Sequence, residues 1–199
     1  MKRLLAFLLA LVMVLAFAAC GEKTDDKTDG DKPGKPAAPA KAAYLTPLET
    51  NIAMRLEGAF DTLETALPQV TWDWYAKEYR YSKQDVIDNM KMQHENRPIQ
   101  LKAEYGEDMT VTYTVTSDTA MESDDLTKIA QKLKNLYKLD ETKITEGRYL
   151  VYDILLSGSK KETTSSDIPF AVVKFDGVWY HVVLEGDPSD SNFNAYLDF

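Results

Sequence analysis

Three patterns of apolar and polar residues follow one another along the chain. Leu4 to Ala19 holds no charged residue, and Gly21 to Ala43 holds almost no apolar bulk. From Tyr44 onward, apolar positions recur first at a helical spacing and then at a spacing of two. Thr46-Pro47-Leu48-Glu49 has the form of a helix start: a capping hydroxyl, a proline for the first turn and an acid to close a capping box. Ile52, Leu56, Ala59, Phe60, Leu63 and Leu67 continue the stripe until Pro68. A second helical region is predicted in two pieces. One starts near Thr71 and carries Trp72, Trp74, Tyr75 and Tyr79; the other opens at Ser82-Lys83-Gln84-Asp85 and runs through Val86, Ile87 and Met90 to Pro98.

The period then changes. Ile99, Leu101, Ala103 and Tyr105 alternate with polar residues, and after Gly106-Glu107-Asp108 so do Met109, Val111, Tyr113 and Val115. This predicts a half-buried hairpin, or one long bent strand, over 99–116. Ser123-Asp124-Asp125 opens a third helix with a stripe of Leu126, Ile129, Ala130, Leu133, Leu136 and Tyr137, its early acids suiting the helix dipole. Strands are expected at about 148–157, 169–175 and 178–184, the last two joined by the two-residue turn Asp176-Gly177. That turn places Phe175 opposite Val178, Val173 opposite Tyr180 and Ala171 opposite Val182. These residues and Leu184 make an uncharged face that should pack on helices. Val172, Lys174, Trp179, His181 and Val183 make a mixed face, expected to be partly exposed.

Charge narrows the choice of partner. The 199-residue chain carries a formal −9; without Lys2 and Arg3, the charges that precede Cys20, it carries −11. Five acids and five lysines cancel within 21–43, so the whole excess falls on 44–199. Such a domain repels nucleic acid and anionic headgroups, and no basic stripe reverses this. Cys20 is the only cysteine, which excludes an internal disulfide.

The uncharged run of about 16 residues is shorter than the ~20 a spanning helix needs. With Lys2 and Arg3 before it and small residues at its end, it has the form of a secretory signal. Phe17-Ala18-Ala19-Cys20, followed by Gly21, resembles the lipobox of bacterial lipoproteins. Phe17 stands where Leu is usual, at a position that accepts bulky apolar side chains. The resemblance implies a diacylglycerol on the Cys20 sulfur, cleavage before Cys20 and a palmitate-type acyl chain on the freed amine. Two or three chains, at about 0.8 kcal/mol per buried methylene, would hold the protein on the membrane. Residues 20–43 then form a disordered tether, about 27 Å across as a flexible coil.

Helices, a strand pair, a helix and three antiparallel strands closing in "VVKFDGVWYHVVL" resemble the small exported nuclear-transport-factor-two-like or cystatin-like domains of Gram-positive lipoproteins. Lys174, Gly177, Trp179 and Tyr180 carry that resemblance. It implies an α+β fold over 44–186, with helices on a curved, mainly antiparallel sheet of four to five strands, and a C-terminal tail over 187–199. Such folds host enzymes, binders and structural modules alike, so they do not give a function.

Candidate chemistry is sparse. His94 and His181 fall on different elements with no cysteine or third histidine beside them, so no metal site is expected. Asp153 interrupts the apolar run "RYLVYDILL"; paired with His181 in a pocket it could act as an acid–base couple. Asp187, Asp190 and Asn192 lack the spacing of a calcium loop and suggest a capped turn before a docked "FNAYLDF" end. "WDWYAKEYRY" is the most unusual segment: Trp72, Tyr75 and Tyr79 share a helical face, and Trp74 and Tyr81 point elsewhere. The expectation is a lipid-anchored envelope protein that binds a small envelope molecule or another exported protein, without a cofactor, through Trp72, Tyr75, Tyr79 and Trp179. The alternatives are a pocket enzyme using Asp153 and His181, and a regulatory or spacer domain with no ligand.

Overall fold

A computed structural model describes residues 41–198; the expected signal segment, Cys20 and most of the tether lie outside the described residues. The fold is α+β, with an open five-stranded antiparallel sheet in the order β1 to β5, each strand beside its neighbour in sequence. The strands are β1 (Thr110–Ala120), β2 (Ile144–Ser157), β3 (Glu162–Phe175), β4 (Val178–Glu185) and β5 (Asn194–Leu197). The helices are α1 (Thr46–Ile52), α2 (Gln69–Tyr79), α3 (Lys83–His94), α4 (Asn96–Tyr105) and α5 (Ser123–Tyr137).

The β3–β4 hairpin has the register that its turn dictates, with Val173 opposite Tyr180 and Phe175 opposite Val178. Its apolar face enters the larger core, where Ala171, Val173 and Val182 meet Trp72, Ile87, Ile129 and Leu133 from α2, α3 and α5. The mixed face is covered in part. Leu48 and Ile52 of α1 share a second core with Leu150, Tyr152, Ile154, Phe170 and Val172, and Trp179 packs against it. Helices therefore pack on both faces of the sheet; Val172 is fully buried, while Lys174, Trp179, His181 and Val183 of the mixed face are partly exposed, as the pattern predicts.

Two elements differ from the expected pattern. Residues 99–105 are helix α4, not strand: Leu101 is 1% exposed and Ile99 66%, so neighbours two apart do not share an environment. Leu101 and Tyr105, four apart, share the buried face, and Pro98 sits in the first turn, where its missing N–H costs nothing. The first helix is shorter than its stripe. After α1 one wider turn runs over Ala53–Glu57, and Gly58, at φ 77°, ends it in the left-handed region. Ser82 and Asp85 form the expected reciprocal cap of α3, the Ser82 hydroxyl accepting from the Asp85 amide at 3.2 Å and Asp85 accepting from the Ser82 amide at 2.7 Å.

The C-terminal segment is an integral part of the sheet. Residues 194–197 pair with β4 from Val182 to Glu185, and Phe193, Ala195 and Leu197 are buried in the larger core. The domain thus continues past residue 186, because alternate residues of "FNAYL" are apolar and complete the face begun by Val182.

Candidate functional site

Helix α2 begins at Pro68, which holds an extended backbone as N-cap, and stops at Arg80, which adopts φ 60°. That left-handed residue turns the chain so that Tyr81 lies nearly parallel to Tyr79, with ring centroids 6.4 Å apart and planes 22° apart. Tyr79 is 54% exposed and Tyr81 52%. Behind them the rings connect inward. Tyr79 meets Trp74 at 5.4 Å and Tyr75 at 5.9 Å; Trp74 meets Tyr75 at 5.1 Å and Tyr137 of α5 at 5.0 Å, both edge to face. Tyr75 meets Trp72 at 6.4 Å. Trp72 itself is 2% exposed and belongs to the core, so it is not a surface contact residue.

The aromatics of "WDWYAKEYRY" thus form one continuous path from core to surface. Beside it an open groove of about 480 Å³ lies between α2 and the end of α5. Its apolar lining comes from Val70, Trp74, Leu136 and Tyr137, and its polar lining from Asp73, Lys77, Glu78 and Lys138. Burial raises the pKa of the Tyr75 hydroxyl, and raises that of Tyr137 strongly, so both keep their protons; Tyr137 donates its own to the Leu197 carbonyl. Flat apolar ring faces next to groups of both charges suit a ligand with a planar or ring-shaped apolar surface and a polar periphery.

Trp179 lies on the opposite face of the sheet. Its ring meets Tyr44 edge to face at 5.9 Å, and Lys174 Nζ lies 5.8 Å from its centre. With Thr50 of α1, His181 and Asp198 it lines a smaller hollow of about 150 Å³. Trp72, Tyr75, Tyr79 and Trp179 therefore do not converge on one site.

Asp153 and His181 do not converge either. His181 sits opposite Val172, which is in line with Arg148 of β2. Asp153 is five residues further along, roughly 16 Å at about 3.3 Å per residue, and points to the other face. Its carboxylate accepts the Asp167 amide at 2.9 Å, where Asp167 holds φ 58° at an irregularity between β2 and β3. His181 stacks on Phe170, with centroids 4.0 Å apart and planes 6° apart. A carboxylate that caps a bulge and an imidazole packed on a phenyl ring across the sheet cannot pass a proton between them.

His94 ends α3. Burial, and then the nearby Arg55, lower its pKa, and Asp198 acts in the opposite direction. In the loop before β5, Asp187 accepts from the amide and hydroxyl of Ser189 at 2.8 and 2.6 Å, which makes this segment a capped turn. Among the described residues no group of three or more His, Cys, Asp or Glu side chains is arranged to hold a metal ion.

Sequence spacing pointed to α2 but not to its partners. Tyr137 reads as one more apolar position on the α5 stripe, and Lys138 lies just past the helix end. Only the crossing of the two helices brings Trp74 and Tyr137 together. Trp74 and Tyr81, expected to point elsewhere, both meet Tyr79; nothing in the sequence shows that Arg80 would turn left-handed and bring Tyr81 back. The chain matches no family model, and neither the curated proteins nor the solved structures give a match.

Proposed function

We propose that the protein is a lipid-anchored lipoprotein of the bacterial cell envelope, of the Gram-positive type, whose α+β domain binds an envelope molecule or another exported protein. The anchor part rests on the order of features before the domain: Lys2 and Arg3, an uncharged run, Ala18-Ala19-Cys20 and a polar tether. The domain is nuclear-transport-factor-two-like or cystatin-like in this reading, on the element order and the Lys174, Gly177, Trp179 and Tyr180 pattern.

The observation that carries the binding part is the half-exposed, parallel pair Tyr79 and Tyr81, joined through Trp74 to Tyr137 beside the groove between α2 and α5. Exposing two large aromatic rings side by side is costly in water, and it is repaid when a ligand covers them. The separation of Asp153 from His181 removes support from the enzyme reading. A photoreactive amino acid at position 81, introduced into the membrane-anchored protein in its own cells, tests the site. A discrete adduct is expected from position 81 and none from position 102 on the exposed side of α4. Equal labelling from both positions, or none from either, would favour a domain without a ligand.

A further inference from the structure

Strand β1 lies at the margin of the sheet, paired to β2 on one side alone. Its first seven residues, Thr110 to Thr116, read TVTYTVT, the same in both directions about Tyr113. We propose that this edge pairs antiparallel with the same edge of a second copy of the chain, about a two-fold axis at Tyr113. This proposal depends on neither the lipid anchor nor the aromatic groove.

Antiparallel pairing about a residue sets each position against its mirror image. Thr112 meets Thr114 of the second copy, Val111 meets its Val115, and Tyr113 meets its Tyr113. Like side chains thus face like on both sides of the strand, whichever residues direct their backbone groups outward. Thr110, Thr112, Thr114 and Thr116 are exposed, and threonine pairs across strands exchange hydroxyl contacts. Val111, Tyr113 and Val115 are half-buried against the core under α1, and pairing would complete their burial.

Charge favours the same place. The domain is acidic, yet no charged side chain occurs from Thr110 to Ser117. Glu49 of α1, which accepts from the Tyr113 hydroxyl, is the carboxylate beside this run, and Lys41 pairs with it, so two copies that repel elsewhere can approach here. The run ends at an irregularity between Val115 and Ser117, and beyond it Asp118 is held by Arg148 at 2.5 Å. The other free edges are protected in the ways natural sheets use. The unpaired part of β3 carries Pro169 and the left-handed Asp167, and β5 is four residues long with Asp198 after it. Among the described residues, β1 has neither a proline nor a lysine in its edge.

A pairing this short buries less than the about 1,600 Å² of a standard interface, so the free dimer should be weak, with Kd on the order of 100 µM. Confinement of both copies to one surface would raise their effective concentration. The test uses the chain carrying Cys20→Ser, so that any thiol is an introduced one. Sedimentation equilibrium should show a monomer–dimer equilibrium, weakened at least ten-fold by Thr112→Lys or Thr114→Lys, with the circular dichroism unchanged. Oxidation of Thr112→Cys mixed with Thr114→Cys should give at least several-fold more cross-linked dimer than either alone, because only the mixed pair is directly opposite. A monomer up to about 1 mM, a dimer indifferent to both lysines, or equal cross-linking alone and mixed would overturn the proposal. A monomer that dimerises once residues 21–40 are removed would assign the edge to the chain's own tether instead.

Discussion

The Tyr137 hydroxyl sits between the two backbone groups of Leu197, donating to its carbonyl at 3.3 Å and accepting from its amide at 3.2 Å. One side chain at the end of α5 thus fastens the last strand to the helical layer. Tyr137→Phe keeps the ring against Trp74 but leaves two buried backbone groups without this partner. It should cost about 1–3 kcal/mol. Urea unfolding would measure the loss, and hydrogen exchange should show the Leu197 amide losing more protection than the amides of β2. An unchanged unfolding midpoint would mean that water replaces the hydroxyl.

Gly158 tests the seam between α4 and the β2–β3 turn. A Cβ at this position runs into the carbonyl of Tyr105, which is backbone and cannot swing aside. Gly158→Ala should destabilise by about 1–3 kcal/mol through overpacking. Gly177 makes the contrast: a Cβ there meets nothing within 4 Å, but φ is 83°. Gly177→Ala should cost only the left-handed strain, about 1 kcal/mol. The two midpoints, measured side by side in urea, separate steric clash from backbone strain.

Some of this architecture was legible in the sequence, and the reason is local chemistry. Asp176-Gly177 can take positive φ at both positions, and one such turn fixes every pair of the β3–β4 hairpin. Ser82 and Asp85 make their cap within four residues. The stretch 99–105 was not legible, because Ile99, Leu101, Ala103 and Tyr105 satisfy a period of two while Leu101 and Tyr105 alone satisfy a helix. What decides it is tertiary: Pro98 packs against Gly58, and the carbonyl of Tyr105 accepts the Lys160 amide at 2.8 Å. The same holds for the aromatic site. Tyr79 could be placed on a helix face from spacing, but the groove depends on α5 crossing α2 at Trp74 and Tyr137.

His94 gives a pH dependence with a definite sign. Its folded pKa lies below the ordinary 6.5, chiefly through burial and then through Arg55. Between the two pKa values the unfolded chain binds the proton and the folded chain does not. Stability associated with the neutral ring is therefore complete above pH 6.5 and declines as the pH falls through the folded pKa. Nuclear magnetic resonance should find the His94 ring titrating below 6.5, lower still in Asp198→Asn and higher in Arg55→Gln. A titration above 6.5 in the unaltered protein would contradict the arrangement around α3.

The exposed rings should matter to binding and not to folding. Tyr79→Ser and Tyr81→Ser remove side chains that are more than half solvated. Each should change stability by less than about 1 kcal/mol, yet the double variant should lose the photo-adduct formed from position 77, which lines the same groove. A large loss of stability would show that the pair is structural.

The lipid anchor is the claim on which export, location and the tether all depend. Intact mass spectrometry of the protein extracted from the membranes of its own bacterium tests it most directly. A lipid anchor requires a chain that begins at Cys20 and carries the added mass of a diacylglycerol, and a Cys20→Ser variant that leaves the membrane fraction. A chain that still begins at Met1, or a Cys20 bearing no acyl mass, would contradict it.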